Sequence, residues 1–487
     1  MKILRDILYK VNIDSIIGST DVSINKIEFN SLKIDNNDLF VAISGNQING
    51  HQFISQVIEK GAKVILCELL PKEIVKHITY VKVKDVRESL SLICNNFYDN
   101  PSKKLKLIGI TGTNGKTTTA NLMFQLFRMF NYKVGLISTN KIIIEDKKIE
   151  SNLTTPDPIT LNKVLKQMVE SKIQFCFMEV SSHSIQQKRI YGLNFNAGVF
   201  TNLSHDHLDY HKTFSEYRDV KKMFFDSLNN NAFAIVNIDD KNGNYMTQNS
   251  CAKIYKYALK SRADFSLKIF EKDFNGMKML INGSEIWTKL IGEFNAYNIL
   301  ATYSLAKCFE LDEEKILNKI SALNTVDGRF DKIISRSINK IGIVDYAHSP
   351  DSVQKILETL IELKSNDESL ITVIGCGGDR DKDKRPIMGK IAASLSDKVI
   401  FTSDNPRFED PKLILDQIQS GVDKKDLHKV SNIIDRKKAI KYACEINYGN
   451  DVILVAGKGH EKFQIVGDVK KEFDDKKILQ EFLKKQK

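Results

Sequence analysis

Residues 105–130 read LKLIGITGTNGKTTTANLMFQLFRMF: a strand-like apolar run, a glycine-rich turn, then a helix whose apolar residues Leu122, Leu126 and Phe130 recur every fourth position. In such a strand-turn-helix unit the free N–H groups of the turn and the positive end of the helix dipole converge, which favours phosphate. Gly112, Thr113, Asn114, Gly115, Lys116, Thr117 and Thr118 are the expected phosphate cradle. Lys116 would reach the β and γ phosphates, and the Thr117 hydroxyl would ligate Mg²⁺. The strict P-loop spacing fails, because Ile110 stands five residues before Gly115. The strand before the turn and the helix after it carry the assignment as a nucleotide site.

On the N-terminal side lie short β-type runs such as Asp38 to Ile43 and Lys63 to Glu68, ending at the break Asn100-Pro101-Ser102. From about Lys332 onward, apolar strand, polar loop and helix alternate, as in ITVIGCGGDRD, DKVIFTSDNPR and DVILVAGKGHE. The expected fold class is α/β in three domains: 1–101, an N-terminal α/β domain; 102–331, a central P-loop domain on a parallel sheet; 332–487, a doubly wound Rossmann-like domain. In open parallel sheets ligands bind beyond the carboxyl ends of the strands, where the polar loops of this chain fall.

A chain of 487 residues with 42% hydrophobic residues can bury several cores. It has no apolar run long enough for a membrane span, and MKILRDILYK is a poor signal peptide, so a cytoplasmic location is expected. Seven scattered cysteines without a CxxC pair indicate neither a disulfide framework nor a zinc knuckle, and are expected to be buried thiols. The net charge of +11 comes mainly from dispersed Lys with no Arg-rich block, which speaks against nucleic acid as a partner and for anionic small molecules.

Downstream, FMEVSSHSIQQKR sets Glu179 at the end of an apolar run, and SHDHLDYH gathers His205, Asp206, His207, Asp209 and His211. With no cysteine pair beside them, Mg²⁺ suits a phosphate-handling site better than zinc.

GTNGKTT, EVSSH, SHDHLDYH, YRDVK, GEFNAYN, GRFD, DYAHSPDS, GGDRD, DNPR and GKGHE occur in the order seen in Mur ligases, and between Phe29 and Glu461 the chain resembles that family. The resemblance implies an ATP-dependent amide ligase that activates a carboxylate as an acyl phosphate, working as a monomer on peptidoglycan precursors. Residues 112–118 with Asn295, Arg329, Asp345 and His348 would bind ATP. Thr117, Glu179, His207 and Lys221 would hold Mg²⁺, Lys221 as a CO₂-derived carbamate, and Lys116, Glu179, His207 and Lys221 would form the catalytic set. An anionic carbamate suits a metal that would repel an ammonium. By composition alone Lys221 reads as an exposed helical lysine.

UDP-N-acetylmuramoyl-L-alanyl-D-glutamate would meet Phe29, Ser31, Asn46, Gln47 and Ile48, then Thr154, Thr155, Ser181, Gln187 and Arg189. Two departures fall here: Asn30-Ser31-Leu32 stands where the family commonly has Asp-Ser-Arg, and Leu153 where Asn is frequent. Arg380, Asp404, Asn405, Pro406, Arg407, Gly457 and Glu461 match the amino-acid pocket, and the DNPR form resembles the branch that uses meso-diaminopimelate. The alternatives are an L-lysine-adding relative, a folylpolyglutamate synthase, and a P-loop regulatory protein without ligase activity. Arg407 speaks against the first, the joint DYAH, DNPR and GKGHE set against the second, and the metal-ligand cluster and amine pocket against the third.

Overall fold

A computed structural model describes residues 1–45, 48–139, 141–151, 153–204, 208–335, 340–446 and 450–485. The first part of the chain forms a five-stranded sheet in the order Ile13–Ile17, Thr79–Val83, Val64–Cys67, Leu39–Val41, Ile27–Glu28. Only the first pair is antiparallel. Val64–Cys67 is buried along its whole length, as expected of a parallel strand covered on both faces.

Strand Lys106–Thr111 sits mid-sheet in the central part, between Phe175–Glu179 and Ala197–Phe200 and parallel to both. Seven strands run parallel, from Val134–Ser138 at one side to Phe265–Asp273 at the other. The expectation of a parallel sheet needs correcting at the edges. Lys141–Ile144 and Lys147–Glu150 add a hairpin on one side, and Gly276–Ile281 with Ser284–Thr288 add a meander on the other. The meander turns at Asn282 and Gly283, with φ of 45° and 92°, the left-handed pair that a tight hairpin needs. The Asn-Gly dipeptide was the available signal for it.

The last part is a six-stranded sheet ordered Asp331–Ser335, Lys340–Asp345, Asp451–Ala456, Ser369–Ile374, Lys398–Phe401, Val430–Asn432. Only the first pair is antiparallel, so the doubly wound expectation holds for the rest. Helices cover both faces and seal two apolar layers, one around Val353, Leu357 and Met388, the other around Ile440, Cys444 and Leu479. Six of the seven cysteines are buried as expected; Cys251 is exposed. No helix among the described residues is long and apolar enough to cross a membrane.

The three sheets meet where their loops carry chemistry. Ser91 Oγ donates to the Lys188 carbonyl (2.6 Å) and Asn95 to that of Tyr191 (3.1 Å), tying the first part to the segment after Glu179. Across the second seam Asn114 Nδ2 donates to Asp351 Oδ2 (2.7 Å), so the phosphate loop touches the first turn of helix Pro350–Leu363. That helix starts with a Ser349/Ser352 capping box and Pro350 at its first position, a combination that fixes its start after Asp345.

Candidate active site

The turn after Lys106–Thr111 feeds helix Lys116–Met129 through Gly115 at φ 85°. Gly115 meets two demands at once, because a Cβ there would also lie 2.7 Å from Asn298 Oδ1. A Cβ on Gly112 would meet Thr201 Oγ1 at 1.9 Å. Lys116 Nζ bonds the carbonyls of Gly112 (2.9 Å) and Thr113 (2.7 Å), holding its cation over the turn.

Between the central and last sheets lies a cavity of about 500 Å³. Of the expected ATP residues, Asn114, Gly115, Thr118, Arg329, Asp345 and His348 line it. Asn295 stands one step behind: it is buried, and its Oδ1 accepts from Asn298 Nδ2 (3.1 Å), while Asn298 lines the wall. Asn202, Asp239, Tyr297 and Tyr346 also line it and were not foreseen.

Arg329 donates to Thr117 Oγ1 (3.3 Å), lies 4.4 Å over the Tyr346 ring, and has a buried Nε with no hydrogen-bond acceptor among the described residues. A half-buried guanidinium with an unmet buried Nε donor beside a phosphate cradle fits an anionic ligand. Burial lifts the Asp345 carboxyl above its ordinary value despite nearby Arg329, and the N–H groups of Phe330 and Ala347 (2.7 Å each) fix its two oxygens. Burial, with Arg329 close by, pushes the His460 imidazole down to about 3, so it is neutral at ordinary pH.

Glu179, fully buried, accepts from the Thr117 hydroxyl (3.0 Å) and the Thr139 N–H (2.9 Å). These hard oxygen donors, close to the phosphate turn, fit Mg²⁺. Among the described residues no cluster of three or more His, Cys, Asp or Glu is gathered, and His205, Asp206 and His207 lie outside the described residues. Lys221 is not the exposed lysine that its helix pattern suggested. It is 1% exposed, donates to the Gly112 carbonyl at 2.9 Å and lies 4.7 Å from the Tyr217 ring centroid. A lysine carried to the underside of the phosphate turn faces the same chemistry as Glu179.

Thr154, Thr155, Ser181, Gln187 and Arg189 form one connected patch beside Glu179. Thr139 Oγ1 donates to Thr154 Oγ1 (3.1 Å) and Thr155 Oγ1 to the Glu179 carbonyl (2.8 Å). Arg189 bonds the Thr155 carbonyl (2.8 Å) and Gln187 Oε1 (2.6 Å), and the Ser181 N–H donates to Thr155 Oγ1 (3.1 Å). In the first part Phe29 and Ile48 are exposed, Ser31 opens a short 3₁₀ turn, and its carbonyl accepts from Lys60 (2.9 Å). Asn46 and Gln47 lie outside the described residues. Leu32, at the departure from the usual pattern, is 77% exposed.

The third constellation gathers at strand ends of the last sheet. Arg407 sits at φ 51°, and its Nη1 donates to the Gly378 carbonyl (2.6 Å). Gly377 leaves the space: a Cβ there would come within 3.0 Å of Arg407 Nη1 and 3.7 Å of Arg380 Cγ. Burial lowers the Arg407 pKa, Arg380 pushes in the same direction, and Asp404, Glu461 and Asp379 oppose them. Pro406 and Asp404 are buried, and Asp404 Oδ2 lies 2.7 Å from where a Cβ on Gly457 would be. Asn405 Nδ2 donates to Glu461 Oε2 (2.9 Å). Lys458, the second residue of GKGHE and not among the expected pocket residues, is fully buried and donates to Asn405 Oδ1 (2.9 Å) and Glu461 Oε2 (3.0 Å).

Three family models match in series: "Mur ligase family, catalytic domain" over residues 23–98, "Mur ligase middle domain" over 110–306, and "Mur ligase, glutamate ligase domain" over 328–459. A protein of Cytophaga hutchinsonii named UDP-N-acetylmuramoyl-L-alanyl-D-glutamate--2,6-diaminopimelate ligase is 49% identical over 481 residues, 99% of each chain. A protein of the same name from Bacteroides fragilis is 48% identical over 98% of each chain. A solved structure bearing that name covers 100% of this chain and 99% of its own, at 28% identity and a TM-score of 0.70. The MurF ligase of Thermotoga maritima in complex with ADP shares the fold, with a TM-score of 0.62 at 17% identity over 95% of this chain and 98% of its own.

Proposed function

The chain belongs to the Mur ligase family, and from this we propose that it is the ATP-dependent ligase that adds meso-diaminopimelate to UDP-N-acetylmuramoyl-L-alanyl-D-glutamate in peptidoglycan precursor synthesis. The observation that carries this reading is the pocket where Arg407 and Arg380 flank Gly377 while Asp404, against Gly457, and Glu461, bonded to Asn405, supply the opposite charge. The far end of diaminopimelate is a zwitterion, with an ammonium and a carboxylate on one carbon, and needs both signs of charge side by side. The end of an L-lysine side chain needs only the anion.

ATP would occupy the cavity between the central and last sheets, its phosphates on residues 112–118 and its base against Phe294, Tyr297 and Tyr346, rings that line the wall. Thr117, Glu179, His207 and Lys221 as its carbamate would hold Mg²⁺, which when bound offsets the negative charge of the phosphates. The protein's own groups then orient and balance charge. Lys116 and Arg329 stabilise the transferring phosphoryl group as it moves to the terminal glutamate carboxylate. Thr155, Ser181 and Arg189 hold that substrate in line. The amine of diaminopimelate, held by the pocket of the last sheet, attacks the activated carbonyl carbon; an amide forms, phosphate leaves and the nitrogen loses its proton. Because the groups come from two sheets, turnover requires them to close on each other. The same reading makes the enzyme a cytoplasmic monomer acting on these three small molecules.

The test is phosphate release from ATP with the UDP-linked dipeptide and either diaminopimelate, L-lysine or no amino acid. Release that requires diaminopimelate supports the reading. Release independent of any amine, or none with the dipeptide present, overturns it.

A further inference from the structure

We infer that Lys458 is a positioning residue for the incoming amino acid: a buried cation that locks Glu461 and Asn405 into one assembled pocket wall before the amino acid arrives. The inference rests on the pocket reading above. The DNPR loop follows strand Lys398–Phe401 and the GKGHE loop follows Asp451–Ala456, and these strands are not neighbours, since Ser369–Ile374 lies between them. The backbone joins them past the GKGHE turn, where Arg407 bridges Val466 (its N–H to the Ile465 carbonyl at 3.2 Å, the Gly467 N–H to its carbonyl at 2.7 Å), while the Glu461 carboxylate itself meets the DNPR loop through side chains.

Lys458 spans that gap with donors to Asn405 Oδ1 (2.9 Å) and Glu461 Oε2 (3.0 Å), while Asn405 Nδ2 reaches the same Glu461 oxygen (2.9 Å). Asn405 Oδ1 also accepts from the Ile465 N–H (3.0 Å), which brings the hairpin strand Phe463–Val466 into the same knot. Every one of these bonds ends on Glu461 Oε2 or on the Asn405 amide, so the Glu461 carboxylate is oriented by its Oε2 edge.

Around the pocket stand Arg380, Arg407 and Lys458 against Asp379, Asp404 and Glu461. The other buried cations nearby are matched separately, Arg385 by Glu409 (2.9 Å) and Arg436 by Asp475 (2.7 Å). Three charges of each sign complement a neutral zwitterion. Removing Lys458 would leave the half-buried Glu461 without its cation, held by the Asn405 amide and with an excess negative charge in the pocket.

Steady-state kinetics of Lys458→Met, which keeps most of the side chain's length and removes the charge and donors, tests this. The KM for diaminopimelate should rise roughly 10- to 100-fold, the scale expected when a binding group is misplaced by about 1 Å, while the KM values for ATP and the UDP-linked dipeptide stay within about twofold. Should Lys458→Met fail to fold, Lys458→Gln, which keeps one donor, is measured the same way. An unchanged diaminopimelate KM, or three KM values rising together, overturns the role of Lys458. If the wild type does not use diaminopimelate at all, the pocket reading fails, which is a different result.

Discussion

The Thr117 hydroxyl donates to Glu179 across 3.0 Å, so the first turn of the helix behind the phosphate loop and the end of the adjacent parallel strand are joined at one carboxylate oxygen. An isosteric Glu179→Gln keeps the volume and removes the charge. Isothermal titration with Mg²⁺ and a non-hydrolysable ATP analogue should show metal affinity weakened at least tenfold, with the fold intact by circular dichroism. Unchanged metal affinity would remove Glu179 from the metal site.

Lys116→Ala should lower the rate of phosphate release by roughly 10²- to 10³-fold, the scale of losing one preorganised group that balances transition-state charge. Thermal unfolding should hardly move, since the side chain is half-buried and its bonds to the Gly112 and Thr113 carbonyls stay within its own turn. Near wild-type turnover would rule out the assignment of Lys116.

A carbamate on Lys221 keeps one N–H that can still donate to the Gly112 carbonyl, now 2.9 Å from Nζ. Lys221→Ala should be almost inactive, and formate or acetate should restore part of the activity by supplying the lost anionic oxygen. Labelling with ¹³C-bicarbonate should give a carbamate signal in the wild type that the variant lacks. An active preparation without that signal contradicts the modification.

Arg407→Ala should depress kcat/KM for diaminopimelate and narrow its advantage over L-lysine. Sites built around a buried polar group can reject an analogue lacking the partner by about 10⁴. An unaltered preference in the variant would mean that Arg407 only braces the turn through the Gly378 carbonyl.

Arg385 holds the Glu409 carboxyl down at about 2, below its ordinary 4.5, through bonds of 2.9 and 3.0 Å, and Glu409 also accepts the Asp379 N–H of the GGDRD loop. A depressed carboxylate pKa stabilises the fold fully above the unfolded value near 4.5, and this contribution is lost as pH falls toward 2. Urea midpoints of wild type and Glu409→Gln should differ clearly at pH 7 and draw together as pH falls from 4.5 toward 2. A gap that stays constant with pH would show that the pair carries no linked proton.

The phosphate turn was legible because strand, glycine turn and helix are contiguous, so local sequence contains the whole device. The amino-acid pocket was legible only as family motifs, since its charges come from three loops. Asn298 was hidden one turn beyond Asn295 on a helix, Glu293–Cys308, with no apolar face to orient it, being buried almost all round. Asp239 carries no motif, and Tyr346 stands inside DYAHSPDS between Asp345 and His348 with nothing local to mark it; the packing of two sheets brings both to one cavity. Lys221 shows the reverse: its pattern read as solvent-facing, yet tertiary packing buries it under Gly112. The edge hairpin at Asn282-Gly283 was readable from its dipeptide and was passed over.

A competition decides the choice of amine: the wild-type enzyme with ATP, Mg²⁺, the UDP-linked dipeptide and equal concentrations of meso-diaminopimelate and L-lysine, with the nucleotide-sugar product identified by mass spectrometry. A tripeptide product bearing diaminopimelate should form in large excess, with one ADP per product. A product bearing mainly lysine, or ADP formed without any tripeptide, would contradict it.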